Sequence, residues 1–209
     1  MDLYIQKLSK AFNQKPIFNN LSFEIRAGSR FAITGSNGSG KSTLLKILSG
    51  GMLPTSGVIT YYLEGKKIPE ESLFRQVHFV APYNSVIEEL SLKELFHLHK
   101  SLGLLKGYPI FQDWFSNLHY PFSPDQQIKS FSSGMKQRVK LGLTLLDDRP
   151  LVLLDEPTSN LDEQGKTWFF NLLGQLREFQ TLVIASNDAL EISYCTARIN
   201  LDGVVSVVD

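Results

Sequence analysis

The sequence predicts an α/β domain with a mainly parallel sheet, an antiparallel β layer at its N-terminus and an inserted small helical subdomain. Three observations predict it. Residues 30–34 make a short apolar strand that runs straight into a glycine-rich turn and then into a helical pattern. Residues 151–154 and 182–185 are apolar runs without alternation, which is how parallel strands covered on both faces read. A helical stretch at 163–179 lies between those runs and gives β-α-β order.

The elements follow in chain order. Leu21, Phe23 and Ile25 alternate with Ser22, Glu24 and Arg26, a half-buried strand that Ala27-Gly28 turns. With 3–5 and 58–63 it makes the antiparallel layer. Residues 41–48 are helical, with Leu44, Leu45, Ile47 and Leu48 facing inward and Gly50-Gly51 ending the helix. Residues 77–80 form a further strand. Residues 91–104 are helical, and Ser91 with Glu94 fits a capping box. Residues 108–124 are aromatic and broken by proline, so 83–129 reads as a helical insertion within one domain spanning 1–209. Asp202-Gly203 between apolar residues reads as a closing hairpin turn.

Composition narrows the function. The 209 residues suffice for one large domain with a small insert. With 21 basic and 21 acidic residues the formal charge is zero, so there is no electrostatic case for a nucleic-acid partner. The single cysteine, Cys195, cannot form an internal disulfide and suits a reducing compartment. The start, MDLYIQKLSKAF, lacks an apolar signal-peptide region, and no run approaches the ~18 apolar residues of a membrane span. A membrane role would have to come through a partner. His78, His97, His99 and His119 read as ordinary surface or interface residues, not as a metal cluster.

Gly35-Ser36-Asn37-Gly38-Ser39-Gly40-Lys41-Ser42, followed by Thr43, fits G-x-x-x-x-G-K-[ST] and makes the core that of a P-loop NTPase. A polyphosphate needs many N–H donors converging on it. Glycines let the backbone come close with positive φ, and the following helix points its positive dipole end at the same spot. Lys41 adds a mobile charge for the β and γ phosphates, and the Ser42 hydroxyl can ligate Mg²⁺. Downstream, the apolar run 151–154 ends in Asp155 and Glu156. Asp155 can hold the Mg²⁺ shell, and Glu156 can polarise a water aimed at the γ-phosphate. Between these motifs, Ser132, Ser133 and Gly134 open a helix and make either a second anion site or an ordinary N-cap.

Taken in this order, the motifs resemble the ATP-binding cassette (ABC) family over nearly the whole chain. The phosphate loop looks like that family's Walker A, FSSGM with the following KQR like a variant of its LSGGQ signature, and LVLLDEPTSNLD, through Asp162, like its Walker B and D-loop. Phe12 is either the aromatic that stacks on adenine or a core residue. The resemblance implies a subunit that binds and hydrolyses ATP with Mg²⁺. It also implies a head-to-tail dimer, homo- or heterodimeric, in which Ser132 and Gly134 face a γ-phosphate held by the partner's Lys41. A separate integral membrane permease would then hold the subunit at the cytoplasmic face of the cell membrane.

Three departures from the family pattern stand out. In the signature, Ser133 replaces a glycine, Phe131 a leucine and Met135 a glutamine. The family glutamine after the strand 77–80 falls on Pro82, which cannot ligate a metal; Tyr83 or Asn84 could take its place. The family histidine falls on Asn187, whose amide can hydrogen-bond a γ-phosphate but carries no charge or proton at neutral pH. Two other functions compete with a transport ATPase. One is a nucleotide-gated module that hydrolyses very slowly, favoured by Pro82 and Asn187 and opposed by Glu156. The other is an ABC-type ATPase acting away from membranes, which usually carries two cassettes or a long insert. The guanine-binding N-K-x-D signature is absent.

Overall fold

The structure is a computed structural model that describes residues 1–119 and 123–202. Gly203, and with it the expected closing turn and the segment beyond, lies outside the described residues. The chain forms two compact units: Met1–Ala81 with Arg149–Glu156 and Arg177–Asp209, and Pro82–Asp148 with Pro157–Leu176.

The first unit carries both sheets. Strands β1 (Asp2–Phe12), β2 (Lys15–Ile25), β4 (Ser56–Leu63) and β5 (Lys66–Ile68) form an antiparallel sheet in the order β2-β1-β4-β5. Five strands pair in parallel in the order β6-β7-β8-β3-β9: β3 (Arg30–Thr34), β6 (Val77–Val80), β7 (Leu151–Asp155), β8 (Thr181–Ala185) and β9 (Ala197–Asn200). Every residue of β7 and β8 is buried, which explains their unbroken apolar composition. Helix α1 (Lys41–Leu48) buries Leu44, Leu45, Ile47 and Leu48 in the core, with Leu3 and Ile5 of β1 and Leu151 and Leu153 of β7. Phe23 and Phe31 stack between the sheets at 5.7 Å. His78 is a correction: it is buried in β6, not on the surface.

The second unit is helical: α2 (Leu92–Ser101), α3 (Phe111–Ser116), α4 (Ser133–Leu145) and α5 (Glu163–Gly174). It therefore takes in α4 and α5 besides the expected insertion at 83–129. The capping box is present: Ser91 N–H donates to Glu94 Oε2 at 2.8 Å, and Glu94 N–H donates to Ser91 Oγ at 3.3 Å. Phe96 and Trp114, both under 2% exposed, lie 5.6 Å apart, and Phe111 stacks on Phe115 at 5.1 Å. The aromatic segment thus supplies this unit's own core. Trp114 Nε1 donates to the Gly142 carbonyl at 3.3 Å. Trp168, on α5, lies 4.9 Å from the guanidinium of Arg138 on α4, and that guanidinium donates to the His119 carbonyl at 2.9 Å.

Two stretches differ from the sequence expectation. The helix expected through 179 stops at Gly174, the residue type least suited to a helix interior after proline, and Gln180 orders the chain beyond it. Its Oε1 accepts from Arg177 N–H at 3.0 Å and its Nε2 donates to the Arg149 carbonyl at 3.0 Å. After β8, the short helix α6 (Ala189–Ser193) returns the chain to β9, which lies beside β3.

Candidate nucleotide site

The site is built where β3 gives way to α1. Gly35, Gly38 and Gly40 have φ of +142°, +89° and +101°, the region that glycine alone enters at little cost. A Cβ on Gly35 would lie 2.6 Å from Ser39 Oγ, and one on Gly40 would run into Ile17 Cγ2. The loop is therefore tight at Gly35 and Gly40, while Gly38 between them faces open space. Gly40 is the N-cap of α1, and no side chain caps the helix. Its first turn, at Lys41, Ser42 and Thr43, lines a pocket of about 310 Å³ with Asn37, Gly38 and Gly40; Ile17 and Glu156 complete the wall.

Lys41 is 6% exposed, and its ammonium donates to the carbonyls of Gly35 at 2.6 Å and Ser36 at 3.1 Å. Asp155, the last residue of β7, is 3% exposed. Burial raises its carboxyl above the ordinary range, and a hydrogen bond with Ser42 opposes that rise. The Ser42 hydroxyl and the Asp155 carboxylate are hard oxygen ligands of the kind a Mg²⁺ shell uses. Glu156 follows with φ of +43°, uncommon for a residue other than glycine. Its N–H donates to the Ala185 carbonyl at 2.9 Å, while its side chain stays exposed at the pocket wall. A strained backbone that presents a carboxylate to a polar pocket is the kind of outlier that marks a functional position.

Asn187 lies just after β8, and its Nδ2 donates to Asn37 Oδ1 at 3.4 Å. The amide at the histidine position thus reaches the phosphate loop. Phe12 is 44% exposed with Lys10 Nζ 4.9 Å from its ring, and it is not among the residues lining the pocket. Ser132 and Gly134 belong to the helical unit. There Ser132 Oγ caps α4 by accepting from Met135 N–H at 3.2 Å, and a Cβ on Gly134 would lie 2.7 Å from the Asn160 carbonyl. Pro82, exposed, offers neither an N–H nor a side-chain ligand. Two contributors escaped the sequence reading. Ile17, an apolar strand residue, presses on Gly40, and Asp202 accepts from both the N–H and the hydroxyl of Ser36. No sequence signal marks either, since both act by position alone.

A parallel sheet, a glycine-built loop opening a helix, a lysine turned into that loop, and a strand ending in Asp-Glu define a P-loop nucleotide-binding protein. A family model described as "ABC transporter" matches residues 18–159, more than half the chain. The lantibiotic transport ATP-binding protein SrtF of Streptococcus pyogenes is 30% identical over 92% of this chain and 82% of its own length. ABC transporter A family member 8 of Dictyostelium discoideum is 29% identical over 96% of this chain, which spans a quarter (25%) of that larger protein. An ATP-binding protein of Pyrococcus furiosus assigned to ABC transporters superposes with a TM-score of 0.81 at 27% identity, covering 99% of this chain and 100% of its own. The chain belongs to the ABC transporter family, as an ATP-binding component.

Proposed function

We propose that this chain is the ATPase subunit of a transporter, working by ATP-driven head-to-tail closure on a second cassette and docked on a separate membrane permease. The observation that carries this reading is the meeting of Lys41, Ser42 and Glu156 at one pocket wall, with the buried carboxyl of Asp155 at the end of β7 directly before Glu156. Backbone N–H groups at the start of α1 and the Lys41 ammonium bind the phosphates. Ser42 and Asp155 would hold Mg²⁺, which when bound would supply neutralisation of phosphate charge. Glu156 accepts a hydrogen bond from the attacking water and aligns it with the γ-phosphate. Asn187, tied to Asn37, positions the γ-phosphate by donation alone, and Phe12 offers an exposed ring to the base.

Ser132 and Gly134 would face the nucleotide of the second cassette, whether an identical or a different chain. Nucleic acid is not among the partners, given the balanced charge. Among the described residues no helix is long and apolar enough to cross a membrane, so attachment to the inner face of the cell membrane would come through the permease. Tyr83, 52% exposed, and Asn84 belong to the surface of the inserted unit that would meet it.

A second reading, slow hydrolysis with nucleotide-gated closure, is favoured by the neutral amide of Asn187 and by Pro82. Phosphate release by the purified chain, with and without Glu156→Gln, tests both. Release that Glu156→Gln abolishes supports the ATPase. ATP binding without measurable release in either chain supports the gated module.

A further inference from the structure

We propose that Asp202 is a positioning residue for the phosphate loop, fixing its first peptide so that the later N–H groups converge on the phosphates. The inference rests on the reading of this loop as a nucleotide site. Strand β9 runs parallel to β3, with Thr34 paired to Asn200, and Leu201 N–H donates to the Thr34 carbonyl at 2.9 Å. The chain therefore leaves β9 alongside the residue where β3 becomes the loop. Asp202 is steadied there by its own N–H, which donates to Asn200 Oδ1 at 3.0 Å.

Its carboxylate then grips Ser36 with both oxygens. The Ser36 N–H donates to Oδ2, and the Ser36 hydroxyl donates to Oδ1 at 2.7 Å. These bonds, together with the nearby Lys41 charge, hold the carboxyl below its ordinary range. The other side of the same residue is also held. The Ser36 carbonyl accepts from Lys41 Nζ at 3.1 Å and from Ser39 N–H at 3.1 Å. Ser36 is thus clamped between an anion on its N–H and a cation on its carbonyl.

The clamp has a consequence for binding. The Ser36 N–H points to Asp202, so it is not a phosphate donor; those begin further along the loop. Gly35, at φ +142°, is the freely turning residue just before it. When the Lys41 ammonium swings from the Gly35 and Ser36 carbonyls to a phosphate, Asp202 and the Ser39 N–H keep this turn in place, and Asp202 is the side chain that does so. The role needs hydrogen-bond acceptance at a fixed point more than negative charge. An asparagine could accept the N–H with its oxygen and donate to the hydroxyl with its amide.

The experiment compares wild type, Asp202→Ala, Asp202→Asn and Lys41→Ala by titration calorimetry with ATP and with inorganic tripolyphosphate. Asp202→Ala should weaken both ligands by a similar factor, about tenfold for the two lost hydrogen bonds to Ser36, because the defect lies on the phosphate side. Asp202→Asn should recover most of the loss. Wild-type affinity in Asp202→Ala, a loss confined to ATP, or no recovery in Asp202→Asn each overturns the proposal. Lys41→Ala separates the two levels. If it also binds ATP like wild type, the nucleotide site itself is misassigned; if it alone loses binding, only the role of Asp202 fails.

Discussion

Replacing Glu156 by glycine should make the protein more stable than replacing it by alanine, while both changes stop hydrolysis. The perturbation isolates the backbone. Glu156 has φ of +43°, and its side chain is exposed, so little packing is lost on truncation. A residue with a Cβ held in the left-handed region costs about 1–2 kcal/mol. Glycine escapes that cost but forfeits about 0.5–1 kcal/mol through its freer unfolded chain. The difference favours glycine over alanine by about 0.5–1 kcal/mol, or roughly 1–4 °C in melting temperature for a chain of this size. Glu156→Gln keeps both the backbone and the side-chain shape, so its melting temperature should match wild type. Phosphate release should fall by about 10²–10⁴ in all three variants, the usual range for a lost general base. Thermal denaturation of the nucleotide-free chain, read beside a phosphate-release assay, tests both halves. A glycine variant melting at or below the alanine variant would show that the left-handed turn carries no strain.

Other outcomes follow from single contacts. Lys41→Ala should weaken ATP binding more than tenfold, from a charge-assisted contact worth about 1.5–3 kcal/mol, as read by calorimetry. Gly40→Ala should lower the melting temperature and ATP affinity together, since its Cβ meets Ile17, and Ile17→Ala in the same chain should restore part of the loss. Asn187→His should raise the turnover of the otherwise unaltered chain severalfold with little change in affinity, by adding a partly cationic donor at the γ-phosphate; an unchanged rate would remove the parallel with the family histidine. Glu94, whose pKa is lowered by the Ser91 hydrogen bonds, should stabilise its helix above the unfolded carboxylate value of 4.5 and cease to do so as pH falls through its depressed folded value. Glu94→Gln should therefore melt below wild type at pH 7 and converge with it at low pH.

The phosphate loop was legible because its chemistry is contiguous: eight residues specify turn, charge and hydroxyl without help from elsewhere. The buried strands β7 and β8 were legible for a related reason, since burial on both faces leaves an unbroken apolar run. What escaped depends on partners far apart in sequence. Asp202 meets Ser36 across 166 positions, and as a sequence signal Asp202-Gly203 reads more readily as a turn. Strand β9 alternates exposed and buried residues over only four positions, too short a pattern to register. The end of α5 at Gly174 was a readable stop, but the apolar and charged residues 176–179 continue a helical pattern past it, while in the structure Gln180 orders that stretch through Arg177 and Arg149. The aromatic composition of the insert was legible, but that Phe96 and Trp114 are spent inside their own unit required the structure.

That placement of aromatics has a spectroscopic use. The chain holds two tryptophans, Trp114 and Trp168, and both lie in the helical unit, almost fully buried. The unit carrying Lys41, Asp155 and Glu156 holds none. Intrinsic tryptophan emission is therefore a selective reporter of the helical unit. One of the two indoles faces Arg138, on the helix that begins at Ser133. A displacement of that helix would change the charge over the ring and shift the emission. The unlabelled protein thus contains its own optical probe of helix α4, readable in stopped flow as nucleotide is added.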